Sequence, residues 1–338
     1  MKLKMAAGLV SCALYLPLAQ AGSLTVANSD LTLAGGINAG LLYSDNTGGS
    51  NNTDAMVTDF LLELSASADK GLGFVAGYGA LQQATLFSNV PADKSTSTTG
   101  QADMGLQYGW LTVKPTDSIT IDAGKLATSI GYEVANSYAN ANILLGGIWN
   151  SQPVYYPGLR ASFAMGEGRM FIEANEDTST GATTGYVVGG STAIGAVNVS
   201  VAYYNANKAR DILDIIVSSE IGGIPVAANI DFHKLDNQVA VPGNDDSAMG
   251  IGLYATPSFG VVTAPVRVEY FDDGSSGIYG GMKSGYSFTV TPTYNFTDNT
   301  FVRAEIAMIS SDNKIFNDED GTAQDSKTSA ALQAGFLF

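Results

Sequence analysis

Charge is scarce in this chain, and basic charge scarcest. Sixteen Lys and Arg face 32 Asp and Glu, and charged residues make up 14% of the total, against about 25% in an ordinary soluble domain. That balance argues against nucleic acid as a partner, because phosphate neutralisation needs clustered Lys and Arg. Cysteine is almost absent: Cys12 is the only one, and it falls in the leader read below. Disulfides, thiolate catalysis and Cys-based metal centres are therefore excluded. There is also one histidine, His233, through which any His-dependent triad would have to run. No Ser or Asp motif beside it suggests a nucleophile, so no catalytic residues are assigned. Past the N-terminus no run of 18 apolar residues occurs, so no transmembrane helix is expected.

What is present is 39 Gly, 16 Tyr and 14 Phe, behind a start that reads "MKLKMAAGLVSCALYLPLAQA". Lys2 and Lys4 supply a positive first region, Met5 to Leu18 an apolar one, and Ala19-Gln20-Ala21 a small-x-small cleavage site. Residues 1–21 therefore read as a secretory signal peptide. A Gly- and aromatic-rich chain, poor in charge and exported without disulfides, fits either a soluble all-β protein or an outer-membrane β-barrel.

The connections between segments favour the barrel. Period-2 segments of about ten to fifteen residues are joined alternately by short and long links. The short ones are 69–73, 114–118, 165–169, 194–197, 221–225, 256–260 and 296–300, rich in turn-forming Gly, Pro, Asp and Asn. The long ones are polar and include 44–54, 88–101, 177–183, 236–247, 272–283 and 311–326, with a weaker one near 205–211. That rhythm is the signature of an up-and-down barrel with tight turns on one rim and loops on the other. The fold class expected for residues 22–338 is thus all-β, a transmembrane antiparallel barrel of about 16 strands, with 14–18 as the range. The even count puts both termini on the short-turn rim.

Strand alternation also sorts the two faces. In 301–310, Val302, Ala304, Ile306 and Met308 alternate with Arg303 and Glu305. In 264–270, Val266, Val268 and Tyr270 alternate with Arg267 and Glu269. Aromatics near strand ends, Tyr43, Phe87, Trp110, Tyr203, Tyr270, Tyr294, Phe296 and Phe301, are expected at the two membrane interfaces. The inward set expected to line a pore is Lys125, Glu133, Arg160, Glu173, Asp231, His233, Arg267, Glu269, Arg303 and Glu305. Arg267/Glu269 and Arg303/Glu305 lie two apart, about 7 Å along a strand. They read either as a transverse field across a pore or as a structural ladder of mutually satisfied ions. The acidic loops, "NDED" at 317–320 among them, lack the spacing of a calcium loop. No metal or cofactor is expected.

One stretch breaks the rhythm: residues 131–157, "GYEVANSYANANILLGGIWNSQPVYYP". Left in water, Ile143, Leu144, Leu145, Ile148, Trp149, Tyr155 and Tyr156 would each forgo about 1.5–3 kcal/mol of burial. Folding into the barrel as a constriction is the expected remedy, with an exposed loop mediating subunit contact or covering the rim as the alternative.

Residues 124–163 resemble the second β-barrel-porin family of Gram-negative bacteria (OmpL-like). Gly124, Lys125, Gly131, Tyr132, Glu133, Gly158 and Arg160 carry the resemblance, while "NSYANANILLGGI" departs from it. The resemblance implies a porin-like barrel and supplies no substrate. The expectation is an outer-membrane porin for passive diffusion of small hydrophilic solutes or ions. A non-conducting barrel acting as adhesin, receptor or structural protein is the alternative. Outer-membrane lipid and lipopolysaccharide, the barrel-assembly machinery and, by analogy, a homotrimer are the expected partners. The chain ends in "SAALQAGFLF", whose outward apolar residues and terminal Phe338 read as a last barrel strand with an assembly signal.

Overall fold

The computed structural model describes residues 24–25, 31–48, 52–87, 104–176 and 184–338. The leader read in residues 1–21 and the loops at 88–101 and 177–183 lie outside the described residues. Sixteen staves follow one another in chain order. They are β1 (Leu31–Ser44), β2 (Asn52–Ala66), β3 (Leu72–Leu81), β4 (Gly105–Thr116), β5 (Ile119–Ala127) and β6 (Tyr155–Met165). Next come β7 (Gly168–Asn175), β8 (Gly185–Ile194), β9 (Val197–Ala206), β10 (Arg210–Ile221) and β11 (Ile224–Leu235). The wall ends with β12 (Ser247–Ala255, Ser258–Phe259), β13 (Val262–Thr263, Val266–Asp272), β14 (Ser284–Val290, Thr293–Thr297), β15 (Thr300–Ser311) and β16 (Ser326–Leu337).

Each stave pairs antiparallel with the next, and β16 returns to β1 through Gly36↔Leu337 to Ser44↔Ser329. The result is a closed sixteen-stranded barrel, in which no edge is left to seek hydrogen bonds in lipid. The chain's last residue completes the closure, as Gly35 and Phe338 exchange both backbone hydrogen bonds at 3.1 Å. Leu337 also meets Asn299 of the 297–300 turn, so the C-terminus sits on the short-turn rim.

Alternation decides what each face meets. On β15, Ala304, Ile306 and Met308 are exposed while Arg303, Glu305 and Ala307 are buried. β13, β14 and β16 repeat the pattern. The exposed band carries Tyr43, Tyr270, Tyr294 and Phe296 as expected, and also Tyr78, Tyr186 and Tyr286. Three aromatics assigned to the interface turn inward instead. Phe301 is buried under the Arg303 guanidinium at 5.1 Å. Trp110 packs on Tyr108 at 5.7 Å, and Phe87 on Phe271 at 6.1 Å. Phe301 shares the inward parity of Arg303 and Glu305 on β15, so a place near a strand end does not by itself put an aromatic at the lipid interface.

Pro257, Pro265 and Pro292 interrupt β12, β13 and β14 in one row. Thr256 N donates to Pro225 O at 3.0 Å, Ala264 N to Pro257 O at 2.9 Å, Thr291 N to Pro265 O at 2.9 Å and Ala304 N to Pro292 O at 3.0 Å. Each of these prolines lacks the N–H that would return a second bond, so the wall is thinly bonded along that row.

Candidate functional site: the loop inside the barrel

The connection from β5 to β6, residues 128–154, lies within the barrel. It is anchored at its base by Thr128 N donating to Val154 O at 2.9 Å. Tyr155 and Tyr156, read as loop residues from the sequence, open strand β6 instead. From the base the loop reaches the far wall at once. Gly131 N donates to Asp214 Oδ2 on β10 at 3.1 Å, and Tyr132 N to Asn229 Oδ1 on β11 at 3.2 Å. Six residues on, Ser137 N meets the Asp59 carboxylate on β2, and Asn38 Nδ2 on β1 donates to Ser137 Oγ at 3.0 Å. β10 and β2 stand eight staves apart in a ring of sixteen. The peptide units from 131 to 137 can span at most about 20–22 Å, so this arm crosses the lumen.

The return path is bound as firmly. Glu305 on β15 accepts from Ile143 N and Leu144 N at 2.5 and 2.9 Å. Glu269 on β13 accepts from Gly147 N and Ile148 N at 3.2 and 3.0 Å. Arg303 donates to Asn140 O and Ser137 O at 2.8 and 3.0 Å. Arg267 reaches Glu133 Oε1 at 2.6 Å and Leu144 O at 2.8 Å. A one-turn helix, Gly147–Asn150, carries the chain back to β11, where Gln152 Nε2 donates to Asp231 Oδ2 at 2.7 Å. Gly146 and Gly147 are needed here because of close approach. A Cβ at Gly146 would stand 2.4 Å from Glu269 Oε1, and one at Gly147 would stand 2.5 Å from the Phe271 ring.

Apolar packing seals what the polar groups anchor. Ile143, Leu144 and Ile148 pack with Leu42, Phe271 and Ile309. Ile130 packs against Phe171, Val187 and Tyr204, Leu145 and Trp149 against Leu61 and Leu81, and Tyr132 against Ile216 and Tyr254. Loop residues thus enter four clusters on different arcs of the wall. At about 1.5–3 kcal/mol for each large side chain buried, this packing makes the docked loop part of the core. At its level the inward side chains of opposite walls are buried, Asn38 and Asp59 on one side and Val187, Ala202 and Asp214 on the other. Toward the short-turn rim Thr112, Asp122, Arg169 and Ser191 remain partly exposed, so water enters from that side as far as the loop.

Nine of the ten residues assigned to the pore surface lie in or against this arrangement. Arg160 pairs with Glu173 at 2.6 Å and with Ala127 O at 2.7 Å. Asp231, His233, Arg267, Glu269, Arg303 and Glu305 sit beneath the loop, and Glu133 belongs to it. They pack on protein in this conformation, whereas the sequence suggested contact with open water. Lys125 is the exception. It pairs with Gly109 and Pro157, in the outward register shared by Leu111 and Leu159, and reaches Leu106 O at 3.3 Å and the Tyr155 ring at 5.7 Å. Burial pushes the Glu133 carboxyl above its usual range, with Arg267 pulling the other way, and it raises the Tyr132 and Tyr138 phenols.

Sequence reasoning missed Asp214, Asn38 and Ser137. Asp214 is flanked by apolar residues on both faces of β10, in "DILDII", which hides the alternation. The single histidine forms no relay. Ser151 Oγ at 3.3 Å and Asp231 Oδ2 at 3.7 Å both address His233 Nε2, and Nδ1 has no hydrogen-bond partner. A triad needs the two ring nitrogens divided between nucleophile and carboxylate.

The family described as "Putative beta-barrel porin-2, OmpL-like" matches residues 30–338. Among solved structures, the outer membrane channel DcaP of Acinetobacter baumannii superposes with a TM-score of 0.63 at 12% identity, over 94% of this chain and 100% of that one. OmpT, an outer membrane protein of Vibrio cholerae, gives 0.61 at 12% identity over 93% and 99%. An anion-selective porin from Comamonas acidovorans gives 0.61 at 12% identity over 91% and 99%. At such identities the likeness is one of fold. No curated protein matches by sequence.

Proposed function

The chain belongs to the OmpL-like β-barrel porin-2 family, and from that premise we propose that it conducts small hydrophilic solutes or ions passively across the outer membrane. The 128–154 loop is the element that limits passage. The observation that carries this reading is the loop's contact with opposite walls, Asp214 on β10 and Asp59 on β2. Solute then passes when the loop withdraws, along the polar inward face that it now covers.

The same observation favours a second reading, a barrel kept shut by its own loop and used through its rim. Planar bilayers discriminate the two. Stepwise current from the intact protein supports the porin reading. Silence from the intact protein, with current after removal of the loop tip, supports the second. Reversal potentials before and after Arg267→Ala and Arg303→Ala then give the ion selectivity.

The reading includes no enzymatic step and no cofactor. Delivery follows a cleaved leader and recognition of Phe338 by the barrel-assembly machinery. The exposed band meets lipid and lipopolysaccharide, and the porin-like fold suggests a homotrimer.

A further inference from the structure

The wall that grips the loop carries one pattern twice. β13 turns Arg267 and Glu269 inward, and β15 turns Arg303 and Glu305 inward, with Ser287, Thr289 and Thr291 of β14 between them. Apart from Glu133, everything these four charged side chains hold on the loop is a peptide group. The carboxylates accept four backbone N–H groups, those of Ile143, Leu144, Gly147 and Ile148. The guanidiniums donate to three backbone carbonyls, those of Leu144, Asn140 and Ser137. Hydroxyls of β14 brace the set. Ser287 donates to Glu269 at 2.6 Å, Thr291 donates to Glu305 at 2.7 Å, and Arg267 donates to Thr289 at 3.1 Å.

Fixed charges are an expensive way to hold a loop. Each ion taken out of water costs several kcal/mol unless it is well paired, while Ser, Thr and Asn can satisfy backbone N–H and C=O without charge. The β11 wall does so with Asn229. Two anions and two cations in alternation suit a guest that presents N–H donors and C=O acceptors together, and charged ends as well.

We propose that the β13–β15 patch recognises short peptides, and that residues 137–148 of the loop are its built-in occupant. The proposal rests on the porin reading and names its solute class. When the loop withdraws, Arg267 and Arg303 lose loop carbonyls and Glu269 and Glu305 lose loop amides. A tripeptide supplies the same groups, with an ammonium for the glutamates and a carboxylate for the arginines. Guest and loop compete for one surface, so the guest biases the barrel toward its open form by its preference for that form.

Proteoliposomes carrying the full chain would be swollen in triglycine and in a neutral sugar of similar size, with ion conductance recorded in parallel. Loop release would be read in a Cys12→Ser, Leu145→Cys chain, whose buried Cys reacts with a maleimide only when the loop undocks. The expected result is several-fold faster entry of triglycine than of the sugar, and faster labelling with triglycine alone. Glu269→Gln with Glu305→Gln is expected to bring the two entry rates together. Equal rates and unchanged labelling in a conducting protein overturn the peptide proposal and leave the porin reading standing. Absence of any conductance overturns the porin reading, and the labelling then decides the peptide proposal alone: accelerated by triglycine it stands, unchanged it falls.

Discussion

Arg267 and Glu133 lie 134 positions apart in the chain and meet at 2.6 Å in the barrel's interior. The contact ties β13 to the outgoing arm of the loop. The same guanidinium holds the returning arm through Leu144 O at 2.8 Å. Removing it leaves Glu133 and Glu269 buried without their cation, a change that costs about 3–5 kcal/mol in comparable buried pairs. Arg267→Ala is therefore expected to undock the loop while the wall persists. Trp149, packed against Leu61 and Leu81, reports this as a red shift of emission with heat-modifiable migration retained. Unchanged emission would mean that apolar packing alone keeps the loop in place.

A covalent tie tests whether the loop has to move. Asn38 Nδ2 and Ser137 Oγ are 3.0 Å apart, and Cys12 is the only cysteine in the sequence. In a Cys12→Ser background, Asn38→Cys with Ser137→Cys is expected to lose bilayer current on oxidation and regain it with a reductant. Current that survives verified oxidation would place the solute path away from the loop tip.

The barrel was legible because lipid on one side and polar or packed lumen on the other impose a period of two on every stave. Arg303 and Glu305 show their face wherever Val302, Ala304 and Ile306 separate them. Turn chemistry marked the seven tight links for the same local reason. The loop's partners were not legible in this way. That Arg267 meets Glu133, or that Asp59 meets Ser137, depends on where a crossing arm lands, and neither residue carries a local mark of it. Lys125 misled because it adjoins the loop in sequence, while its register opposite Gly109 and Pro157 sets it on the outer face, and composition around it does not say which side of the sheet it takes.

The proline row predicts where the wall yields first. Across β11 to β15, each of Pro225, Pro257, Pro265 and Pro292 accepts a bond that it cannot return. Barrel stability is expected to be uneven, with local openings concentrated where backbone bonds are fewest. In hydrogen exchange the amides of Thr256, Ala264 and Thr291 should exchange well before those of β2 and β3 at the same depth. Uniform protection around the ring would show that the single bonds suffice.

Val268 stands between Arg267 and Glu269 on β13, with its side chain on the opposite, exposed face. A charge placed there meets hydrocarbon, while the charges on either side of it are bonded within the lumen. Val268→Arg is expected to destabilise the barrel by about 2–4 kcal/mol if the residue lies near the bilayer midplane, and by less toward an interface. The measurement is the urea midpoint for refolding into lipid vesicles, with the slope of the transition unchanged. A cost close to zero would mean that hydrocarbon does not surround this face, as where a polar contact with a second copy of the chain pairs the new charge. The same substitution therefore asks whether the barrel stands alone, and repeating it at Ile306 on β15 and Leu332 on β16 would map which arc of the wall a neighbour occupies.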